Sequence, residues 1–224
     1  MKNLNPLFYR SLAVLFILVA LSYLFIDIPL AVYCRNMDAG VRNFFGVVTE
    51  LGISTWYLIG SFALFLFFRF VSKQTINAQR ALFFFVSIVI SGILVNVVRF
   101  TAGRYRPEML FSKGLYGFTF FEIEHALVSF PSGHTTTAFA IAMALSFFWR
   151  KYWPFFGLFA LMVGVSRMII TAHYLSDVIA GAYVGIVSVI FLKNFTAGYW
   201  EKNLFSNRSL GSPDKGRDAS VPFR

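Results

Sequence analysis

The chain is poor in charged residues. Only 13% of its 224 residues are Asp, Glu, Lys or Arg, whereas 58% are hydrophobic. An ordinary soluble domain carries roughly 25% charged residues, so the composition excludes that class of protein. The sequence has one cysteine, Cys34, which excludes an internal disulfide and a metal site built from several cysteines.

Acidic residues are scarcer still, and the formal net charge is +10. The basic residues lie at the ends of apolar segments and form no soluble basic face, so we expect no nucleic-acid partner. The close trio Glu122, Glu124 and His125 is interpreted as solvated side chains in an interfacial, aromatic-rich loop rather than as zinc or magnesium ligands. The sequence therefore predicts no metal and no other cofactor.

Long apolar segments make up most of the chain. A bilayer core about 30 Å thick needs roughly 20 apolar residues per helix. Six segments are candidate spans, the first of them interrupted near its outer end by Asp27 and Pro29: residues 11–32, 53–70, 81–98, 135–149, 153–165 and 175–192. We therefore predict an all-α, polytopic membrane protein with a six-transmembrane-helix bundle in residues 1–202. A tail at 203–224, rich in Ser, Gly, Pro and charge, is expected to be disordered and cytoplasmic.

The first apolar segment could also belong to a cleavable signal peptide. It runs on to Cys34, which is long for the core of a signal peptide, and no clear small-x-small cleavage pattern follows. We expect it to be retained as the first helix.

Three polar motifs interrupt the apolar sequence at the ends of the predicted spans. They are Arg99 with Arg106-Pro107, then Phe130-Pro131-Ser132-Gly133-His134, then Ser166-Arg167 with His173 and Asp177. Ionisable groups beside hydrocarbon-length helices are costly and mark functional sites.

In the third motif, His173 and Asp177 are four residues apart and would share one face of a helix. A carboxylate there can accept a proton from one imidazole nitrogen, fix the tautomer and leave the other nitrogen free to attack. The alternative is a histidine at a helix end with an ordinary capping aspartate.

The second motif opens the fourth span. Ser132 is a good N-cap, Gly133 lets a backbone amide approach a ligand closely, and the start of a helix stabilises an anion. His134 would then lie beside that anion and could donate a proton to a leaving oxygen. A simple capped turn is the alternative.

Three arginines complete the set. Arg99, Arg106 and Arg167 offer planar, permanently charged forks that suit phosphate oxygens. Arginines that snorkel at a membrane edge are the alternative, and we prefer that interpretation for Arg104, which lies outside the motifs.

Together, the motifs resemble the signature of the type 2 phosphatidic acid phosphatase (PAP2) superfamily: Lys-x6-Arg-Pro, Pro-Ser-Gly-His and Ser-Arg-x5-His-x3-Asp. The match runs from position 99 to position 177, and only Arg99 departs, because the family usually has lysine there. A guanidinium keeps the charge but is longer and forked, so phosphate geometry or substrate preference can differ.

The resemblance implies a metal-free, two-step hydrolysis of a membrane lipid phosphate. In that scheme His173 forms a phosphohistidine with Asp177 in support, and His134 protonates the departing alcohol. The phosphoryl oxygens are held by Arg99, Arg106, Ser132, the Gly133 amide and Arg167. Candidate substrates are phosphatidic acid, phosphatidylglycerophosphate, undecaprenyl pyrophosphate and the lipid A phosphates.

Lysine and arginine also predict the orientation in the membrane. Most of them flank the ends of the spans opposite the motifs, so we expect that side to be cytoplasmic and the site to lie on the extracytoplasmic face. The compact chain and its short loops favour a bacterial inner membrane, in which the site would face the periplasm. Two alternatives stay open at this point. One is a lipid-to-lipid phosphotransferase of the same superfamily; the other is a non-catalytic transporter or scaffold, although transporters more often show repeats and helices broken at mid-membrane depth.

Overall fold

Helices account for most of the described chain, residues 6–196, in this computed structural model. In chain order they are α1 (Pro6–Leu21), α2 (Asp27–Arg35), α3 (Ala39–Glu50), α4 (Ser54–Leu66), α5 (Thr75–Ala102), α6 (Pro107–Lys113), α7 (Gly133–Phe148), α8 (Trp153–Ile169) and α9 (Leu175–Phe195). Within this described part the only β-type pairing consists of isolated bridges at Arg104. The all-α prediction is confirmed.

Five helical stretches are long and apolar enough to cross a bilayer, by length and composition. They are Pro6–Arg35, Ala39–Val71, Thr75–Ala102, Arg150–Ile169 and Leu175–Phe195. The predicted fourth span is α7, which is apolar but has only 16 residues, fewer than the roughly 20 that a straight span needs. All six predicted segments are therefore helical, five of them at full membrane length, and the polytopic membrane fold is confirmed.

The first span differs from the prediction near Asp27 and Pro29. The helix does not stop there but continues to Arg35 through a π-helical segment, Ser22–Ile26. Such turns hold an extra residue and are frequent at functional sites. After this turn Asp27 points into the protein, with 1% of its surface exposed.

Helix α3, before the second predicted span, was not predicted. Asp38 accepts a hydrogen bond from the Gly40 amide at 2.7 Å and so caps the start of this helix. The helix ends in a turn at Leu51 and Gly52, which leads directly into α4. This turn brings Thr49, Glu50 and Gly52 to the end of the bundle that carries the motifs.

Helix α7 lies at the centre of the bundle, packed mainly against α8, α9 and α5. Its buried residues are mostly small: Thr135, Thr136, Thr137, Ala138, Ala140, Ala142 and Ala144. A side chain added at Gly181 on α9 would lie 2.6 Å from the Ser132 carbonyl oxygen. Close approach through small residues is the usual way in which membrane helices associate, and here it fixes the start of α7 against the start of α9.

The segment between α5 and α7 folds over the same end of the bundle. Residues 104–106 are bonded on both sides, with the Tyr105 amide donating to Gly117 at 3.1 Å and the Arg106 amide donating to Ala126 at 3.0 Å. Gly103 begins this segment at φ 49°, and a Cβ there would lie 2.7 Å from the Phe120 amide nitrogen. Only glycine fits such a turn without strain. The predicted tail at 203–224 and the boundary at 202 lie outside the described residues.

Candidate active site

The three motifs meet at one end of the helix bundle. The Ser132 amide donates to the Asp177 carbonyl at 3.0 Å, which joins the second motif to the third. The Arg99 Nε donates to the Pro131 carbonyl at 2.9 Å, and Arg106 Nη1 donates to the Ala172 carbonyl at 3.3 Å. The predicted site residues therefore form one cluster, although they are up to 78 positions apart (177 − 99).

His173 is buried, with both ring nitrogens facing polar groups. Its Nδ1 lies 3.5 Å from Asp177 Oδ2 and 3.4 Å from the Ser129 Oγ, while its Nε2 lies 3.5 Å from Arg106 Nη1. With the carboxylate at Nδ1, the Nε2 lone pair is directed towards the arginines. This is the arrangement expected of an oriented imidazole nucleophile.

His173 and Asp177 are brought together by a different local structure from the shared helix face that the sequence predicted. Helix α9 begins at Leu175, so His173 precedes the helix and does not share a helical face with Asp177. Instead, Asp177 occupies the third position of a capping box, and its Oδ2 accepts from the Tyr174 amide at 2.9 Å. The same carboxylate therefore starts the helix and faces the imidazole.

The surroundings of His173 keep its imidazole neutral. Burial lowers the pKa of His173 to about 3, with the positive charges of Arg106 and Arg167 acting in the same direction and the bond to Asp177 opposing them. A neutral imidazole has the free lone pair that nucleophilic attack requires.

Neutral oxygens hold the three predicted phosphate-binding arginines. Arg99 donates to the Pro131 carbonyl, Arg106 donates to the His125 carbonyl at 2.7 Å, and Arg167 donates to the Thr49 hydroxyl at 2.6 Å. None of these three guanidinium groups lies within 4.0 Å of a carboxylate oxygen of residues 6–196.

Three guanidinium charges therefore converge without a carboxylate in contact. Arg99, Arg106 and Arg167 repel one another electrostatically, and carboxylates beyond contact distance partly offset that repulsion; burial lowers the pKa of Arg106. Buried cations without a counter-ion in contact are costly. A bound anion would relieve that cost by forming charge-assisted hydrogen bonds with the guanidinium groups.

Gly133 and Ser132 lie at the start of α7, as predicted. A Cβ on Gly133 would lie 2.8 Å from Arg99 Nη2, so the absence of a side chain lets this guanidinium reach the helix start. Ser132 occupies the N-cap position, but its side chain makes no capping bond. Its buried hydroxyl instead accepts from Thr135 Oγ1 at 2.9 Å.

His134 is half-buried on the first turn of α7, next to the same cations. Electrostatic repulsion acts on it from Arg167, Arg99 and Arg106. The turn after α3 packs closely against it, because a Cβ on Gly52 would lie 2.8 Å from His134 Cβ. His134 and His173 thus flank the arginine cluster from two helix starts.

From the sequence, Asp27, Arg104 and Ser129 were not assigned to the site. Arg104 is not a snorkelling side chain: it is fully buried and forms ion pairs with Asp27 at 2.7 Å and Asp177 at 2.5 Å. Ser129 donates to Asp177 Oδ2 at 2.6 Å. A carboxylate inside an apolar span is rare and usually functional, so Asp27 carried a usable signal, whereas a lone serine such as Ser129 carried none.

The loop trio of Glu122, Glu124 and His125 does not come together as a chelating group. His125 is exposed, and repulsion from Arg106, followed by partial burial, lowers its pKa. Within residues 6–196, no three His, Cys, Asp or Glu side chains lie close enough to hold a metal ion.

Comparison with known proteins identifies the family. The PAP2 superfamily model matches residues 80–200. A lipid A 1-phosphatase of Rhizobium etli is 34% identical over 177 residues, which are 75% of this chain and 75% of that protein. The undecaprenyl-diphosphatase BcrC of Bacillus subtilis is 32% identical over 135 residues, which are 59% of this chain and 66% of that protein.

A solved structure has the same fold. The crystal structure of a transmembrane PAP2 type phosphatidylglycerolphosphate phosphatase from Bacillus subtilis aligns with a TM-score of 0.55 at 20% identity, over 85% of this chain and 96% of that one. With the motif residues clustered and the family model matched, this protein is a multi-pass membrane member of the PAP2 superfamily.

Proposed function

We propose that the protein is a membrane lipid phosphatase that cleaves a phosphomonoester or pyrophosphate through a phosphohistidine intermediate on His173. The observation that carries the proposal is the position of His173 Nε2, 3.5 Å from Arg106 Nη1, at the edge of a cluster of three arginines without carboxylate partners. A tetrahedral phosphoryl group bound by that cluster would present its phosphorus to the neutral nitrogen.

Two displacement steps follow from this arrangement. His173 Nε2 forms a bond to phosphorus while the bond to the leaving oxygen breaks. The imidazolium form of His134, favoured once the bound phosphate offsets the arginine charges, donates a proton to the leaving alcohol or lipid phosphate. A water molecule then attacks the phosphorus and breaks the P–N bond, giving up a proton to His134 and releasing inorganic phosphate. Asp177 balances the positive charge of the phosphorylated imidazole, and Arg99, Arg106 and Arg167, with the Gly133 amide and Ser132, hold the oxygens.

The substrate class is a phosphate at the surface of the bilayer. The loop over the site exposes Phe120, Phe121 and Ile123, whose surfaces are 58%, 70% and 86% accessible. Apolar side chains so exposed beside membrane-spanning helices favour an interfacial position, from which a lipid headgroup can enter sideways. The similarity to a lipid A 1-phosphatase makes a lipid A 1-phosphate the first substrate to test.

We further propose that the site faces the periplasm of a bacterial inner membrane. The helix ends opposite the site carry most of the lysines and arginines of the loops. Arg104 is buried inside the protein, so it does not count among the loop cations on the side of the site. That imbalance favours a cytoplasmic position for the opposite side.

Phosphate release from purified protein tests this function. Lipid A, phosphatidic acid, phosphatidylglycerophosphate and undecaprenyl pyrophosphate would each be assayed in mixed micelles with a chelator present. We expect release from at least one lipid with wild type and none with His173→Ala, because the attacking nitrogen is gone. Release by the variant, or dependence on a metal ion, would contradict the proposed chemistry. Transfer to an added acceptor lipid instead of to water would identify a phosphotransferase.

A further inference from the structure

A buried chain of charges links the first membrane span to His173. Asp27 Oδ2 accepts from Arg104 Nη2 at 2.7 Å, and Arg104 Nη1 donates to Asp177 Oδ1 at 2.5 Å. All three side chains have an exposure of 0%. Asp177 in turn faces the imidazole of His173, so the chain connects the π-helical turn after α1 to the predicted nucleophile.

Asp27 also holds the start of helix α9. Its Oδ1 accepts from the Ser176 amide at 3.0 Å, and the Ser176 hydroxyl donates to its Oδ2. Asp27 therefore caps, from another helix, the first turn of the helix that carries Asp177. Arg104 Nη1 adds a bond to the same hydroxyl at 2.7 Å.

Both oxygens of the Asp177 carboxylate accept hydrogen bonds. Oδ1 accepts from Arg104, while Oδ2 accepts from the Ser129 hydroxyl and the Tyr174 amide and faces His173 Nδ1. The carboxylate thus has one orientation, and its Oδ2 is kept towards the ring of His173.

Aromatic rings enclose Arg104 and exclude water from this chain. The guanidinium carbon lies 5.0 Å from the ring centre of Tyr23, 5.4 Å from that of Tyr116, 5.3 Å from that of Phe118 and 4.5 Å from that of Tyr174. Cation–π contacts of this kind are strongest where the cation is desolvated. The rings come from the π-helical segment Ser22–Ile26, from the loop and from the residue that precedes α9, so the enclosure joins parts of the chain far apart in sequence.

We propose that Asp27 and Arg104 are positioning residues for the reaction: Asp27 orients the Arg104 fork, and the fork fixes Asp177 so that His173 keeps its proton on Nδ1 and its lone pair on Nε2. The proposal rests on the function proposed above, since it assigns these residues to the same site. Asp27 lies outside residues 80–200, the part that matches the family model. The first span therefore contributes to the site as well as to membrane anchoring.

Two conservative variants test the proposal. Asp27→Asn keeps the shape but turns one acceptor oxygen into a donor, so either Arg104 Nη2 or the Ser176 amide loses the oxygen of residue 27 to which it donates. Arg104→Lys keeps the charge but loses the fork that reaches both carboxylates. A hydrogen bond to a charged group is typically worth about a tenfold to hundredfold change in rate. We expect each variant to lower kcat by that factor while KM stays within about threefold.

The tautomer of His173 provides a readout that a purely structural role does not move. In ¹⁵N-labelled wild-type protein at neutral pH, His173 should carry its proton on Nδ1, and both variants should show a fraction with the proton on Nε2. The sequence has 3 histidines, so the signals can be assigned by substituting each in turn. Val189→Ala, which removes two methyl groups from a fully buried core position, is the destabilised control, and Asp38→Asn, at an exposed helix cap, is the neutral one.

The outcomes separate this proposal from the function on which it rests. Lower kcat together with the mixed tautomer in both variants, but in neither control, would support it. A kcat within about twofold of wild type, or a lower kcat with an unchanged tautomer, would overturn it. If wild-type protein released phosphate from no lipid, the proposed function would fail, and the tautomer comparison would still decide whether Asp27 and Arg104 position the imidazole.

Discussion

Replacing Gly133 with alanine should damage the reaction without damaging the fold. The added Cβ would lie 2.8 Å from Arg99 Nη2 and 3.0 Å from Nη1, both at the far end of a flexible side chain. The guanidinium can move aside at little cost to folding, and Gly133, the first residue of α7, is not among the positive-φ glycines. Thermal stability should therefore be close to that of wild type.

The functional loss follows from the displaced charge. Losing one charge-assisted hydrogen bond to a phosphate oxygen costs about 1.5–3 kcal/mol, which corresponds to about a tenfold to hundredfold fall in kcat/KM. Phosphate release by Gly133→Ala would be measured beside Gly157→Ala, a matched control on α8 where a Cβ meets nothing within 4 Å. The control should retain wild-type kinetics.

A double-mutant cycle checks the physical reason. In an Arg99→Lys background the fork that meets the new methyl group is absent, so adding Gly133→Ala should cost much less than it does in wild type. Equal losses in the two backgrounds would refute the idea that the glycine acts by admitting the Arg99 guanidinium. Wild-type kinetics for Gly133→Ala would refute it as well.

Two further predictions concern the surroundings of His173. Ser129→Ala removes the 2.6 Å hydrogen bond to Asp177, and we expect kcat to fall about tenfold or more with little change in KM. Steady-state kinetics on detergent-solubilised protein measure this, and an unchanged kcat would show that the bond is unimportant. The pKa of His173 is lowered from an ordinary 6.5 to about 3, so the neutral, attacking form persists as pH falls. For the same reason the neutral imidazole contributes fully to the stability of the folded state above pH 6.5, the ordinary pKa of histidine. This contribution is lost progressively as pH falls from there towards the lowered pKa of about 3. The profile of kcat/KM should therefore show no loss from His173 between about pH 8 and about pH 5; an acid limb near the ordinary histidine value, after correction for substrate ionisation, would contradict this.

The sequence was most informative where residue chemistry is unusual in an apolar context. Arg99, Arg106 and Arg167 at the ends of spans indicated a candidate anion site, because charged groups beside hydrocarbon are costly and are usually functional. The six apolar segments predicted the helices, and their ends differ by a few residues, since polar motif residues such as Gly133 and His134 extend α7 beyond its apolar run.

Other features depend on contacts between distant parts of the chain. Nothing local in the sequence shows that Arg104 turns inward, because its partners, Asp27 and Asp177, are 77 and 73 positions away. The spacing of His173 and Asp177 indicated the correct pair for a wrong reason. The helix starts between them, and the carboxylate reaches the ring by capping that helix rather than by sharing its face.

Trapping the covalent intermediate tests the central claim most directly. Protein mixed with a ³²P-labelled lipid phosphate that it hydrolyses would be quenched in alkali within milliseconds to seconds, digested, and searched for a phosphorylated peptide. We predict an acid-labile phosphohistidine at His173 that is absent from His173→Ala and accumulates in a variant slow in the hydrolytic step. Label on His134, or phosphate release by protein without label at His173, would contradict the account.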